Sequence, residues 1–212
     1  MRGFAPVISI DATALNAQRT GTVTYVVEIL RQINDTPRWD YRFVVFATSE
    51  NRHHLDELML DQRFEVVLAP AGKLKRLVWQ QTVMIWKIWR KRAAVHWGPT
   101  FVLPWYVPCP SVVTVHDMTF ELFPHAHERL KRLYYPAMIR LAVSRAQTVL
   151  AVSVNTAKDL ARLIPVSQSK TRVTRLAATV FESSHARGPT SLQQPSQPPI
   201  QSPFILSVGT IE

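Results

Sequence analysis

Apolar positions along the 212 residues fall into two alternating textures. Short runs rich in β-branched residues recur at 5–11 (APVISID), 41–48 (YRFVVFAT), 63–70 (RFEVVLAP), 94–99 (AVHWGP), 111–117 (SVVTVHD), 147–153 (QTVLAVS) and 170–177 (KTRVTRLA). All but the last are short, nearly continuous and closed by a polar residue or Pro, which is the pattern of a buried strand. Between them the spacing turns helical. In 20–34, Val23, Val26, Val27, Leu30 and Ile33 repeat on one face. Residues 50–60 predict a weak helix and 74–92 a strong one. Residues 127–146 predict a helix that Pro136 should kink, and 153–164 one with Ser153 as N-cap. Short buried strands alternating with amphipathic helices predict an α/β fold, a Rossmann-like parallel sheet with helices on both faces.

The texture changes after residue 177. Residues 182–203 (ESSHARGPTSLQQPSQPPIQSP) are rich in Pro, Ser and Gln and read as a linker. Residues 204–212 (FILSVGTIE) again have the character of a buried strand and read as the start of a further domain. The expected organisation is therefore a domain over 1–181, a linker over 182–203, and a first strand of a second domain over 204–212.

Charge narrows the partners. Lys and Arg number 25 against 15 Asp and Glu, giving a net charge of +10 and a pI near 10.3. That balance favours anionic partners such as nucleic acid, phosphorylated metabolites or an anionic membrane surface. Cys109 is the only cysteine, which excludes an internal disulfide framework and fits a reducing, cytoplasmic setting. The first residues do not form a signal peptide, because Asp11 interrupts their short apolar run. Residues 93–116 lack charge but contain Pro99, Pro104, Pro108 and Pro110, so no membrane span is expected there.

Candidate chemistry sits at strand ends. His116 and Asp117 close the run at 111–117, and open α/β sheets gather ligands at the carboxyl ends of their strands. A histidine there can exchange hydrogen bonds or a proton with a hydroxyl near neutral pH. The competing reading is plain strand termination, with Asp117 capping a turn and His116 packed. The loop before the first helix offers Arg19 to a phosphate, and Gly21 and Thr22 as backbone N–H groups at a helix start. It lacks the G-x-G-x-x-G pattern, so an ordinary capped loop remains open as well. Ser153 and Thr156 fit simple N-capping at least as well as ligand binding. Trp97 and Phe101 read as packing residues, Cys109 as inert, and the pair His53-His54 as part of a surface helix without a metal pattern. No metal site or cofactor is expected.

The helix predicted at 74–92 stands apart. From Lys73 to Arg92 there are seven basic residues and no acidic one. At helical spacing Arg76, Gln80, Lys87, Arg90 and Lys91 share a polar face, with Trp79 and Trp86 at its borders. A basic face bordered by tryptophans suits an interfacial membrane helix; a wide apolar stripe packed into a core is the alternative.

Three ordered segments carry a family resemblance: IDATALNAQRTGTVTYVVEIL; HWGPTFVLP with VVTVHDMTFELFP; and VLAVSVNTAKDLARLIPVSQSKTRV, with FILSVGTIE as a fourth. Together they resemble the N-terminal half of glycosyltransferase family 4, retaining nucleotide-sugar transferases of GT-B architecture. The resemblance implies that this half holds the acceptor, and that the nucleotide-sugar donor binds mainly through a second domain. It implies that the pair His116-Asp117 faces the cleft, with His116 touching the acceptor or the transferred sugar, and that the loop at Arg19, Gly21 and Thr22 borders it. A glycan or lipid-linked acceptor follows from the same resemblance, as does a peripheral contact with the inner face of the plasma membrane. Departures are Thr22 and Thr24 where small residues are common, and RVTRLAATVF without the usual Pro-Leu-Gly turn. The residues that would hold the donor phosphates after GTIE are not in this sequence, so the 212 residues alone are expected to be inactive. A non-enzymatic basic module for nucleic acid or another anionic partner is the alternative, although no nucleic-acid motif is present and none is expected to bind.

Overall fold

The computed structural model describes residues 5–36, 40–122, 125 and 129–177, without the side chains of residues 129–134. The linker and strand expected at 182–203 and 204–212 lie outside the described residues. The elements follow in chain order as β1 (Val7–Asp11), α1 (Gly21–Asp35), β2 (Arg42–Thr48), α2 (His53–Asp56), β3 (Phe64–Ala69), α3 (Lys73–Gln81), α4 (Val83–Arg90), β4 (Ala93–Gly98), β5 (Ser111–Val115), α5 (Thr119–Leu122), α6 (Arg129–Arg145), β6 (Thr148–Ala151), α7 (Val154–Leu163) and β7 (Thr171–Val173).

All seven strands pair in parallel in the order β3-β2-β1-β4-β5-β6-β7. Chain order runs outward from β1 to one edge and then resumes beside β1 with β4. The switch therefore falls between β1 and β4, where doubly wound sheets open a crevice above their strand ends. The predicted parallel α/β architecture is the one observed.

Alternation along β2 shows why both faces are covered. Phe43, Val45 and Ala47 join a cluster with Val23, Val26, Val27 and Leu30 of α1. Val44 and Phe46 point the other way, to Met84 and Ile88 of α4. A third cluster sets Val113 and Val115 of β5 against Ile139, Ala142 and Val143 of α6 and Leu160 of α7. Val23, Val26, Leu30, Val45, Phe46, Met84, Val113 and Val115 are fully buried. Each such side chain contributes roughly 1.5–3 kcal/mol on leaving water.

Three sequence expectations are corrected. The helix expected over 74–92 is two helices, broken at Thr82 (φ −129°, ψ −78°), whose hydroxyl donates to the Val78 carbonyl at 2.8 Å. A hydroxyl that bonds back into the preceding turn competes with the helix ladder, and here the helix is interrupted. The polar face of the first segment is also reversed. Gln80 is buried, while Leu74 is 74% and Val78 56% exposed. Finally, His54 is buried rather than on a surface helix, with Nε2 3.2 Å from the Asn16 carbonyl.

Candidate functional site

The carboxyl ends of β1, β4, β5 and β6 bring most of the expected site residues to one edge. His116 follows the last residue of β5. Its Nε2 lies 2.9 Å from the Pro99 carbonyl, beyond the end of β4. A carbonyl can only accept, so Nε2 carries the proton and Nδ1 of the neutral ring holds a free lone pair. The ring meets Tyr25 edge-on at 4.9 Å, and Tyr25 in turn meets Trp97 at 6.3 Å. Trp97 Nε1 donates to the Thr114 hydroxyl at 3.0 Å. Burial pushes the His116 pKa below its ordinary value, against smaller opposing effects of the Pro99 hydrogen bond and the Asp117 charge. The imidazole is thus neutral around pH 7, oriented from two sides, and half-buried.

The helix α1 begins beside this ring. Thr20 caps it, its hydroxyl accepting from Val23 N at 3.4 Å. Tyr25 is one turn further on, so Gly21 and Thr22 lie near the His116 edge. A side chain added at Gly21 would meet open space, so no crowding within the domain demands glycine there. Arg19 turns back along α1, with Nη2 3.5 Å from Glu28 Oε1. Asp117 is exposed and caps the next turn. Its Oδ1 accepts from Thr119 N at 2.9 Å and from the Thr119 hydroxyl at 2.6 Å. Ser153 caps α7 by accepting from Thr156 N at 3.0 Å, and the Thr156 hydroxyl donates to the His116 carbonyl at 3.1 Å. Ser153 and His116 are therefore neighbours through Thr156.

Beneath the edge lies a polar network that periodicity gave no reason to expect. Asp11, at the end of β1, is 2% exposed. Its Oδ1 accepts from Thr13 N (2.9 Å) and the Thr13 hydroxyl (2.6 Å), and its Oδ2 from Gln80 Nε2 (3.1 Å). Gln80 Nε2 also reaches the Thr13 hydroxyl at 2.7 Å. Burial raises the Asp11 pKa; the Thr13 and Gln80 hydrogen bonds and the Arg76 charge oppose that rise. Asn51 Nδ2 donates to the Ala12 and Leu15 carbonyls at 2.9 and 3.0 Å, so the β1–α1 loop is held from below. The turn leaving β4 is also constrained. Phe101 has φ 50°, a strained conformation for a bulky residue, and its N donates to Thr114 O at 2.9 Å. A Cβ on Gly98 would collide with the Val102 carbonyl and come within 2.9 Å of Leu103 Cδ2.

The sequence matches the family model for Glycosyltransferase Family 4 over residues 19–175. The chain belongs to Glycosyltransferase Family 4. No curated protein matches its sequence. Three solved structures share the fold at low identity. HepE from Anabaena, in complex with UDP and glucose, aligns with TM-score 0.54 and 15% identity, covering 81% of this chain and 44% of HepE. A glycosyltransferase from Rickettsia africae aligns at 0.50 and 10%, covering 82% and 44%. The UDP-GlcNAc 2-epimerase from Methanocaldococcus jannaschii aligns at 0.53 and 12%, covering 80% and 45%. The family 4 chain thus spans less than half the length of these proteins.

Of the residues expected at a membrane, Trp86, Lys87, Arg90 and Lys91 lie on or just after α4. Trp86 is 48% exposed, with the Arg90 guanidinium 5.3 Å and the Lys87 ammonium 6.0 Å from its ring centre. Lys91 pairs with Glu65 at 2.6 Å. Arg76 and Trp79 are only half-exposed; Trp79 packs edge-on to Phe46 at 5.8 Å, and the Arg76 charge reaches Asp11. Among the described residues no helix is long and apolar enough to cross a membrane, and no cluster of three or more His, Cys, Asp or Glu assembles a metal site.

Proposed function

We propose that this domain is the acceptor side of a retaining, nucleotide-sugar-dependent glycosyltransferase that acts on a glycan or lipid-linked acceptor. The observation that carries the reading is the His116 ring within a family 4 domain. It is neutral, locked through Nε2 onto Pro99, and keeps Nδ1 free at the strand-end edge beside the first turn of α1. In this role Nδ1 accepts from a sugar hydroxyl and positions it; His116 is not the nucleophile. The free N–H groups at the start of α1 favour an anionic group on the same edge. Asp117 and Ser153 support the edge as caps, and Arg19 would have to leave Glu28 to reach a phosphate. The donor nucleotide is held chiefly by a second domain, in keeping with a chain that spans 44% of HepE.

The test is transfer from a panel of nucleotide sugars to glycan and lipid-linked acceptors, using this chain with the second domain of HepE supplied in trans. The expected result is product with the donor's anomeric configuration, lost in His116→Ala, and none from the 212-residue chain alone. An inverted product would refute retention. Turnover by the isolated chain, blocked by His116→Ala, would refute the two-domain reading.

The same domain is proposed to rest on an anionic membrane. What supports this is the reversed α3, which leaves Leu74 and Val78 in water, together with the exposed Trp86 and Trp89 (66% exposed) of α4, on two helices that carry Lys73, Lys75, Lys87 and Arg90 and no acidic residue.

A further inference from the structure

The connection from β4 to β5 departs from the rest of the fold. Adjacent parallel strands are ordinarily joined by a crossover helix that covers the sheet. Here residues 99–110 cross as an irregular ribbon with no helix. Pro104, Pro108 and Pro110 lack N–H groups, so the ribbon can neither coil nor join the sheet regularly. Along the ribbon lies an open depression of about 700 Å³, lined by residues 103–111 with Arg145 and Gln147. That volume lies within the roughly 300–1,000 Å³ typical of small-ligand sites. Ser111 opens β5, and Gln147 immediately precedes β6. The depression is thus at the opposite end of β5 from His116.

Its chemistry is mixed in a particular way. Trp105 and Tyr106 are 64% and 65% exposed on the ribbon, and Trp105 N is anchored at 2.8 Å to Gln81 Oε1. Two aromatic faces stand in water without covering a core. Among the described residues, the Arg145 guanidinium and Gln147 amide have no ion pair or side-chain hydrogen bond, and no acidic residue lines the depression. A pyranose ring matches this set. Its C–H face is apolar and stacks on an aromatic ring, its hydroxyls suit an amide, and a ring carboxylate suits a guanidinium fork. A purely hydrocarbon ligand would leave Arg145 and Gln147 desolvated without partners.

We propose that the depression along the 103–111 ribbon is a glycan-binding site for a uronic-acid-type sugar, which stacks on Trp105 and Tyr106 and pairs its carboxylate with Arg145. The site goes beyond the transfer reading, and its binding is measurable whether or not the chain transfers sugar. It would hold a charged glycan at a distance from the His116 edge.

Calorimetric titration of the 212-residue chain with a short oligogalacturonate and with a neutral cello-oligosaccharide tests it, at about 0.15 M salt so that generic charge attraction is screened. Oligogalacturonate should bind. Arg145→Gln should weaken it by about fivefold or more while leaving the neutral sugar unchanged, as expected for loss of one charge-assisted pair. Trp105→Ala should weaken both. Both variants alter exposed side chains, so their melting temperatures should match the parent. The proposal is overturned if neither sugar binds, or if Trp105→Ala is without effect. It is equally overturned if binding is lost only in His116→Ala, or if Trp105→Ala lowers affinity for anionic phospholipid vesicles but not for the sugar.

Discussion

Replacing Gln80 by Ala should destabilise the domain more than replacing Leu74, although Leu74 is the apolar residue of the pair. Gln80 Nε2 donates to Asp11 Oδ2 and also to the Thr13 hydroxyl. Its removal leaves one oxygen of a buried carboxylate without a partner, which costs about 2–3 kcal/mol. In a chain of this size that corresponds to a fall in Tm of roughly 5–10 °C. Leu74 is 74% exposed, so Leu74→Ala should cost less than about 0.5 kcal/mol. The pH dependence follows from the same carboxyl. Burial raises the Asp11 pKa in the folded state. The protonated form is therefore favoured by folding, and its contribution is full below the unfolded pKa and lost as pH rises through the folded one. Without Gln80 the folded pKa rises further. The deficit of Gln80→Ala should thus be larger at about pH 7.5 than at about pH 4. Urea unfolding of both variants at the two pH values measures all three quantities. A larger loss in Leu74→Ala, or a Gln80→Ala deficit independent of pH, would refute the inward orientation of α3.

Gly98→Ala should cost at least about 1–3 kcal/mol, read by denaturant unfolding, because its Cβ would strike the Val102 carbonyl at a turn already strained at Phe101. His96 is fully buried and its pKa is lowered to about 4 by desolvation. The folded state resists its protonation, so stability present above about pH 6.5 should decline by roughly 3 kcal/mol as pH falls towards 4, and His96→Gln should flatten that decline in a pH series of melts. Sedimentation with anionic liposomes should drop about tenfold or more when Lys87, Arg90 and Lys91 become Gln, and again in Trp86→Ala with Trp89→Ala. Equal sedimentation of variants and parent would leave the exposed α3–α4 surface without a membrane role.

The sheet was legible because its strands are short β-branched runs. The α1 stripe at Val23, Val26, Val27 and Leu30 was legible because one apolar face meets one core. The orientation of α3 was not. Periodicity sends apolar side chains inward and polar ones to water, and at Leu74 and Gln80 that rule is overridden by a carboxylate at the end of β1 that needs a donor. The break at Thr82 was hidden for a related reason, since threonine is acceptable inside a helix until its hydroxyl bonds backwards. At the strand-end edge, the position of His116 was readable from the abrupt end of an apolar run. Its partner Pro99 and its neighbour Tyr25 were not, because both contacts bridge elements far apart in sequence. The burial of Asn51 and His54 is not legible in the sequence. Their signal is tertiary, since each binds carbonyls of a loop more than thirty positions away.

The central claim is that a sugar binds at the His116 edge, and histidine-selective NMR of the ring during acceptor titration tests it most directly. The account predicts that the His116 ring resonances, chiefly those beside Nδ1, shift saturably with a glycan or lipid-linked sugar headgroup at neutral pH. The shift should fade as the ring protonates at a pH below its ordinary titration range, and should not appear with UDP alone. A ring that ignores every acceptor, or that responds to UDP but not to the acceptor sugar, would contradict it.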